Sequence, residues 1–213
     1  MSEPWLERWE QGRIGWHEPA GNSMLRSHWP ELAEASRVLV PFCGKTSDLL
    51  WLANRKLEVV GIELSQIAVE AFFNEHELEF ESESHGKLIR YQANKHSISI
   101  HCGDYFDFES QPFDALFDRG SLVALPAENR PPYVEYTKAL LKDDAYRLII
   151  TLEYDQAAAN GPPFSVTPDE IGSYWSDMKA VERNNDIDDS PPKFKEAGLD
   201  EVIETAWASP LKY

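Results

Sequence analysis

Arg37-Val38-Leu39-Val40-Pro41-Phe42-Cys43-Gly44-Lys45, followed by Leu57-Glu58-Val59-Val60-Gly61-Ile62-Glu63-Leu64-Ser65, is the stretch whose reading decides the fold. Arg37–Pro41 is short and apolar, the pattern of a buried strand. Phe42–Lys45 then makes a tight turn, and Thr46 or Ser47 caps a helix with Leu49, Leu52 and Ala53 on its inward face. Residues 57–62 form the next strand, which ends on Glu63. Ser65 caps a second helix, with Ile67, Ala68, Ala71 and Phe72 on one side. A strand-turn-helix-strand-helix order implies a parallel sheet with helices on its faces.

The alternation continues outward. Residues 79–96 are polar and interrupt it, as an inserted hairpin would. Ser97–Cys102 and Phe113–Phe117 read as strands, and Pro131-Pro132 opens a helix to about 142. Tyr146–Leu152 is a strand and Glu153–Val166 a loop. Thr167-Pro168-Asp169-Glu170 is a capping box, and two late strands cover about 178–184 and 201–207. The expected total is near seven strands. Towards the N-terminus a helix is predicted over 3–11, with Trp5, Leu6 and Trp9 on one face and Gly12 as its stop, and a second over 22–35. The whole of 1–213 is read as one domain, with 1–35 as a helical, aromatic lid segment and 36–213 as the core.

Composition narrows the function. Twenty basic against 37 acidic residues give a net charge of −17, which argues against a nucleic-acid or anionic-membrane binder. The two cysteines, Cys43 and Cys102, make no disulfide framework. The N-terminal residues lack a basic region followed by an apolar one, and no apolar run approaches the roughly 20 residues of a membrane span. A cytoplasmic protein is expected. No two histidines stand four apart and there is no Cys-x-x-Cys, so no metal is expected.

Ligands of open α/β sheets bind at the carboxyl ends of strands. Four segments fall there: Pro41–Lys45, Glu63–Ser65, Gly103–Phe106 and Asp118–Gly120. The first turn carries one glycine, Gly44, which disfavours a dinucleotide yet lets a smaller ligand lie against the backbone, unless it is an ordinary strand-to-helix turn. Glu63, nineteen residues after Gly44, is either a solvated acid or an acceptor for ribose hydroxyls. Asp104 is either a turn residue or the acceptor for an adenine amine, with Tyr105 as its flat neighbour. Arg119 follows a buried strand and needs a partner: Asp118, a ligand carboxylate or an anionic substrate. Trp5, Trp9 and Trp16 form either a hydrophobic cap or an aromatic cover that attracts a cation such as a sulfonium. Together these features suggest a methyl donor of the S-adenosylmethionine type. No covalent nucleophile or general acid-base residue is expected, and Cys43 reads as a small turn residue.

The chain resembles the thiopurine S-methyltransferase family, its bacterial members most closely. The resemblance rests on Trp5-Leu6-Glu7-Arg8-Trp9 with Gly15-Trp16-His17, on Pro41-Phe42-Cys43-Gly44-Lys45, on Gly61-Ile62-Glu63-Leu64-Ser65, on Asp118-Arg119-Gly120 and on Gly161-Pro162-Pro163-Phe164. It implies an α/β, class I S-adenosylmethionine-dependent, Rossmann-like methyltransferase sheet with helices on both faces, and a thiopurine or other aromatic or heterocyclic thiol as acceptor. By that likeness Trp9, Phe42, Gly44, Glu63, Leu64, Asp104, Tyr105 and Arg119 would hold the donor, with Trp5 beside it. Trp16, Arg119 and Pro163 would face the acceptor. A monomer with small-molecule partners is implied. Selenium or tellurium species or small thiols are the alternative acceptors, and a non-catalytic S-adenosylmethionine-binding protein is a more distant one. Phe42 stands where the family usually has Leu, and the stretch after Phe164 diverges.

Overall fold

The apolar run Arg37–Pro41 is strand β1 in the computed structural model, which describes residues 3–15 and 17–211. Ahead of it lie helices α1 (Glu3–Glu10) and α2 (Ser23–His28). The second helix is shorter than the expected 22–35. It stops at His28 because Trp29 precedes Pro30, and a residue before proline is pushed out of the α region. After β1 come α3 (Asp48–Ala53), β2 (Glu58–Glu63), α4 (Gln66–Glu75), β3 (Phe80–His85), β4 (Leu88–Ala93) and β5 (Ile98–Cys102). Then follow β6 (Phe113–Asp118), α5 (Ser121–Ala124), α6 (Arg130–Ala139), β7 (Leu141–Glu153), α7 (Pro168–Tyr174), β8 (Lys179–Asn185), α8 (Lys193–Glu196) and β9 (Ile203–Ala208). The chain divides into two units, Met1–Ser23 with Glu31–Ala115 and Met24–Pro30 with Leu116–Tyr213.

In the first unit β1, β2 and β5 are parallel, with Val38 opposite Val59 and Val59 opposite Ile98. Their side chains are buried: Val38, Leu39, Val40, Val59, Val60, Ile62, Ile98 and Ile100 are at most 3% exposed. Such unbroken apolar runs are what parallel strands covered on both sides require. The polar insertion is the antiparallel hairpin β3–β4, and β4 pairs antiparallel with β5, giving the order β3-β4-β5-β2-β1. This hairpin corrects the expected count: nine strands form among the described residues, not about seven. Its polarity follows from its place, since every residue of β3 after Phe80 is exposed.

In the second unit β7, β9 and β8 are antiparallel in that order. Helix α6 ends at Ala139 rather than 142, because β7 begins at Leu141, earlier than its apolar centre suggests. Thr167 caps α7 as read, accepting from the Glu170 amide at 3.2 Å. Trp29 packs edge-on against Phe117 and Tyr146 in this unit. The long loop after β7 covers a small core of Tyr154, Ala159, Phe194 and Val202.

His101 on β5 is 5% exposed, with the rings of His85 and Phe108 each 4.8 Å away. Burial, then the positive fields of His85, Arg90 and Arg37, pushes its pKa from 6.5 down to about 4. Folded His101 therefore stays neutral where the unfolded chain takes up a proton, and it makes stability fall as pH drops from 6.5 towards 4. A His101→Leu variant lacks this dependence. The wild-type-minus-variant unfolding free energy is expected to fall by about 2 kcal/mol from pH 7 to pH 5 in urea denaturation. A pH-independent difference would contradict the assignment.

Candidate functional site

In the first unit the carboxyl ends of β1, β2 and β5 meet on one residue, Glu63. Its side chain is 7% exposed. One carboxylate oxygen accepts from the Gly44 amide and the other from the Ser65 amide, each at 2.8 Å. Its backbone carbonyl accepts from the Gly103 amide at 2.9 Å. Burial raises the Glu63 pKa, and the amide hydrogen bonds from Ser65, Gly44 and Leu64 pull it back towards the charged form. A carboxylate has about four acceptor positions, so these amides leave capacity for a further hydroxyl.

The turn after β1 is bent around this carboxylate. Phe42 has φ +49° and Gly44 φ +54°. The left-handed region suits glycine and is rare for a bulky side chain, so Phe42 sits in a strained conformation held by its surroundings. Two contacts hold it. The Cys43 amide donates to the Ile62 carbonyl at 3.0 Å, and the Phe42 ring packs edge-on against Tyr105 at 5.6 Å. At Gly44 a Cβ would lie 3.3 Å from the Trp9 indole, so the bare backbone is overlain by Trp9 of α1, itself 8% exposed. Gly103 is required for a similar reason: its φ is +152° and a Cβ would meet Leu88 at 2.9 Å.

The remaining expected donor residues take distinct places. Leu64 is half-buried, and its carbonyl accepts from the Cys102 thiol at 3.7 Å. Tyr105 is buried, while Asp104 is exposed and caps the short turn Tyr105–Asp107 through the Phe106 amide at 3.0 Å. Trp5 is half-buried, with the Arg8 guanidinium 5.2 Å over its ring, so the chain itself supplies one cation to that indole. Cys43 is buried, and burial followed by the Glu63 charge pushes its thiol well up, which makes it a poor nucleophile. Trp16 lies outside the described residues.

Arg119 and Pro163 belong to the second unit. Arg119 is half-buried directly after β6. The neighbouring Asp118 is 1% exposed; its oxygens accept from the Ser121 amide at 2.9 Å and the Tyr133 hydroxyl at 2.7 Å. Burial raises the Asp118 pKa and these partners moderate it. The segments bearing Arg119 and Pro163 are joined, since the Phe164 amide donates to the Val123 carbonyl at 2.6 Å. The Tyr154 hydroxyl donates to the Pro163 carbonyl at 2.6 Å and Lys193 Nζ to that of Pro162 at 2.8 Å. Sequence reasoning missed Arg130, which hydrogen-bonds to both of these segments. Its one signal is a cation at the first position of a helix, where the macrodipole disfavours it unless it is engaged elsewhere.

A family model described as thiopurine S-methyltransferase matches residues 1–210. A thiopurine S-methyltransferase of Bordetella petrii is 43% identical over 210 residues, 94% of each chain. One of Vibrio atlanticus is 43% identical over 213 residues, 97% of each chain. Among solved structures, the 1,6-didemethyltoxoflavin-N1-methyltransferase of Burkholderia thailandensis, with bound 1,6-didemethyltoxoflavin and S-adenosylhomocysteine, has a TM-score of 0.64 at 16% identity. That likeness covers 98% of this chain and 86% of the other, and shows the fold alone.

The amide bonds to Glu63 have a stability consequence. In Glu63→Gln an NH2 group must face one of the two buried amides. Unfolding by denaturant is expected to show a loss of about 1–3 kcal/mol. Asp104→Asn keeps its capping oxygen and should stay within about 0.5 kcal/mol of wild type. Equal effects at the two positions would contradict the geometry.

Proposed function

The chain belongs to the thiopurine S-methyltransferase family, and from that premise we propose that it transfers a methyl group from S-adenosylmethionine to the sulfur of a thiopurine or another aromatic or heterocyclic thiol. The observation that carries the reading is the buried Glu63 carboxylate bonded to the amide of Gly44, at the ends of three parallel strands. The residues present fit an adenosyl donor. Glu63 keeps acceptor capacity for a ribose hydroxyl, and Gly44 carries no side chain of its own between the backbone and the Trp9 indole.

When bound, S-adenosylmethionine supplies an electrophilic methyl group on a positively charged sulfur. The chain's part is to bind, orient and exclude water. Glu63 accepts from the ribose, Asp104 from the adenine amine, and Phe42, Leu64 and Tyr105 line the base. Trp9 closes the space over Gly44, with Trp5 beside it. Arg119 serves donor and acceptor, and Trp16 and the loop at Pro163 face the acceptor. No protein group forms a covalent intermediate. The reading takes the protein as a cytoplasmic monomer, with residues 1–213 working as one methyltransferase domain.

The test is methyl transfer from labelled donor to 6-mercaptopurine, with selenite in parallel, alongside calorimetric binding of S-adenosylhomocysteine. Turnover on the thiopurine is expected, with a Trp9→Phe variant binding S-adenosylhomocysteine about tenfold more weakly. Turnover on selenite alone would replace the acceptor class. Absence of donor binding would overturn the reading.

A further inference from the structure

We propose that Arg130 is the positioning residue of the acceptor side: a single buried guanidinium that fixes the Pro163 loop against the helix following Arg119. The inference rests on the reading above, which gives those two segments to the acceptor.

Arg130 opens α6 and is 1% exposed. Its Nε donates to the carbonyls of Leu122 at 3.0 Å and Leu125 at 2.9 Å, both in or just after α5. Nη2 donates to the Ser165 carbonyl at 3.0 Å, two residues beyond Pro163. Nη1 donates to Glu170 at 2.7 Å, in the first turn of α7. Glu170 is held in turn by the Tyr174 hydroxyl at 2.8 Å. One side chain thus joins three segments that are separate in sequence.

Burying a cation at a helix N-terminus is unfavourable on two counts, desolvation and the macrodipole. Packing the helix start would need only an apolar residue. What the guanidinium adds is a planar fork whose donors reach carbonyls and a carboxylate in three directions at once. Lysine, with one ammonium on a flexible stem, keeps the charge and the Glu170 pair but cannot reach all four acceptors. The Pro163 carbonyl is anchored separately by Tyr154, so loosening that tie probes the same loop independently of Arg130.

A merely stabilising residue would move acceptor and donor properties together. A positioning residue on this side moves the acceptor first, because a shift of about 1 Å in an orienting wall costs up to about 100-fold in rate. In Arg130→Lys, kcat/KM for the thiol is expected to fall by about 10- to 100-fold. S-Adenosylhomocysteine affinity by calorimetry is expected to stay within about threefold of wild type. Tyr154→Phe, which loosens the same loop without touching Arg130, should lower thiol kcat/KM in the same direction by about two- to fivefold. It also serves as the deciding variant should Arg130→Lys fail to fold. Parallel loss of donor affinity and thiol turnover, or unchanged thiol kinetics in the folded variants, would overturn the proposal while leaving the wild-type activity intact. A wild-type protein that binds S-adenosylhomocysteine yet methylates no thiol would instead overturn the acceptor reading, and this proposal with it.

Discussion

A buried carboxylate bonded to backbone amides organises the first unit. Glu63 takes the Gly44 amide on one oxygen, the Ser65 amide on the other and the Gly103 amide on its carbonyl, so the loops after β1, β2 and β5 converge on it. The magnitudes explain why the strained turn persists. Holding Phe42 at φ +49° costs about 1–3 kcal/mol. Two hydrogen bonds to a charged acceptor contribute about 1.5–3 kcal/mol each, and leaving such buried donors unpaired would cost a similar amount. Relaxing the turn would unpair these donors, which offsets the strain it would relieve, and the Phe42–Tyr105 ring contact adds to the hold.

The second unit meets the same problem in the same way. Asp118 also ends a strand, is also buried, and accepts the amide of the next helix, at Ser121, with Tyr133 on its other oxygen. In both units a strand-end acid fixes where the following helix starts, and the residues beside it inherit that geometry. For Glu63 these are Gly44 and Leu64; for Asp118 it is Arg119. Arg130 extends the arrangement with the opposite charge, binding carbonyls where the acids bind amides.

What was readable in the sequence is what local chemistry decides. The runs at β1, β2 and β5 are apolar because both sides are covered, and Ser65 and Thr167 cap helices because their hydroxyls meet an amide three residues on. Glu63 and Gly44 stood out by spacing, although their direct hydrogen bond did not. The shortened α2 was visible in principle at Pro30, but the apolar residues around it mimic a longer helix. The β3–β4 hairpin was harder, since a strand with exposed side chains has no apolar alternation to betray it. Arg130 and the Phe42–Tyr105 pair stayed hidden for a different reason. Glu170 lies far along the chain from Arg130, as Tyr105 does from Phe42, and beyond the cation at a helix start no local residue marks either contact.

The central claim is that Glu63 holds its own strand-end loops and still has acceptor capacity for a nucleoside. A crystal structure with S-adenosylhomocysteine bound tests it most directly. The account predicts the Glu63 carboxylate within hydrogen-bonding distance of a ribose hydroxyl while the Gly44 and Ser65 amides remain on it. A Glu63 side chain that gives up either amide to reach the ribose, or a ribose bound elsewhere, would contradict it.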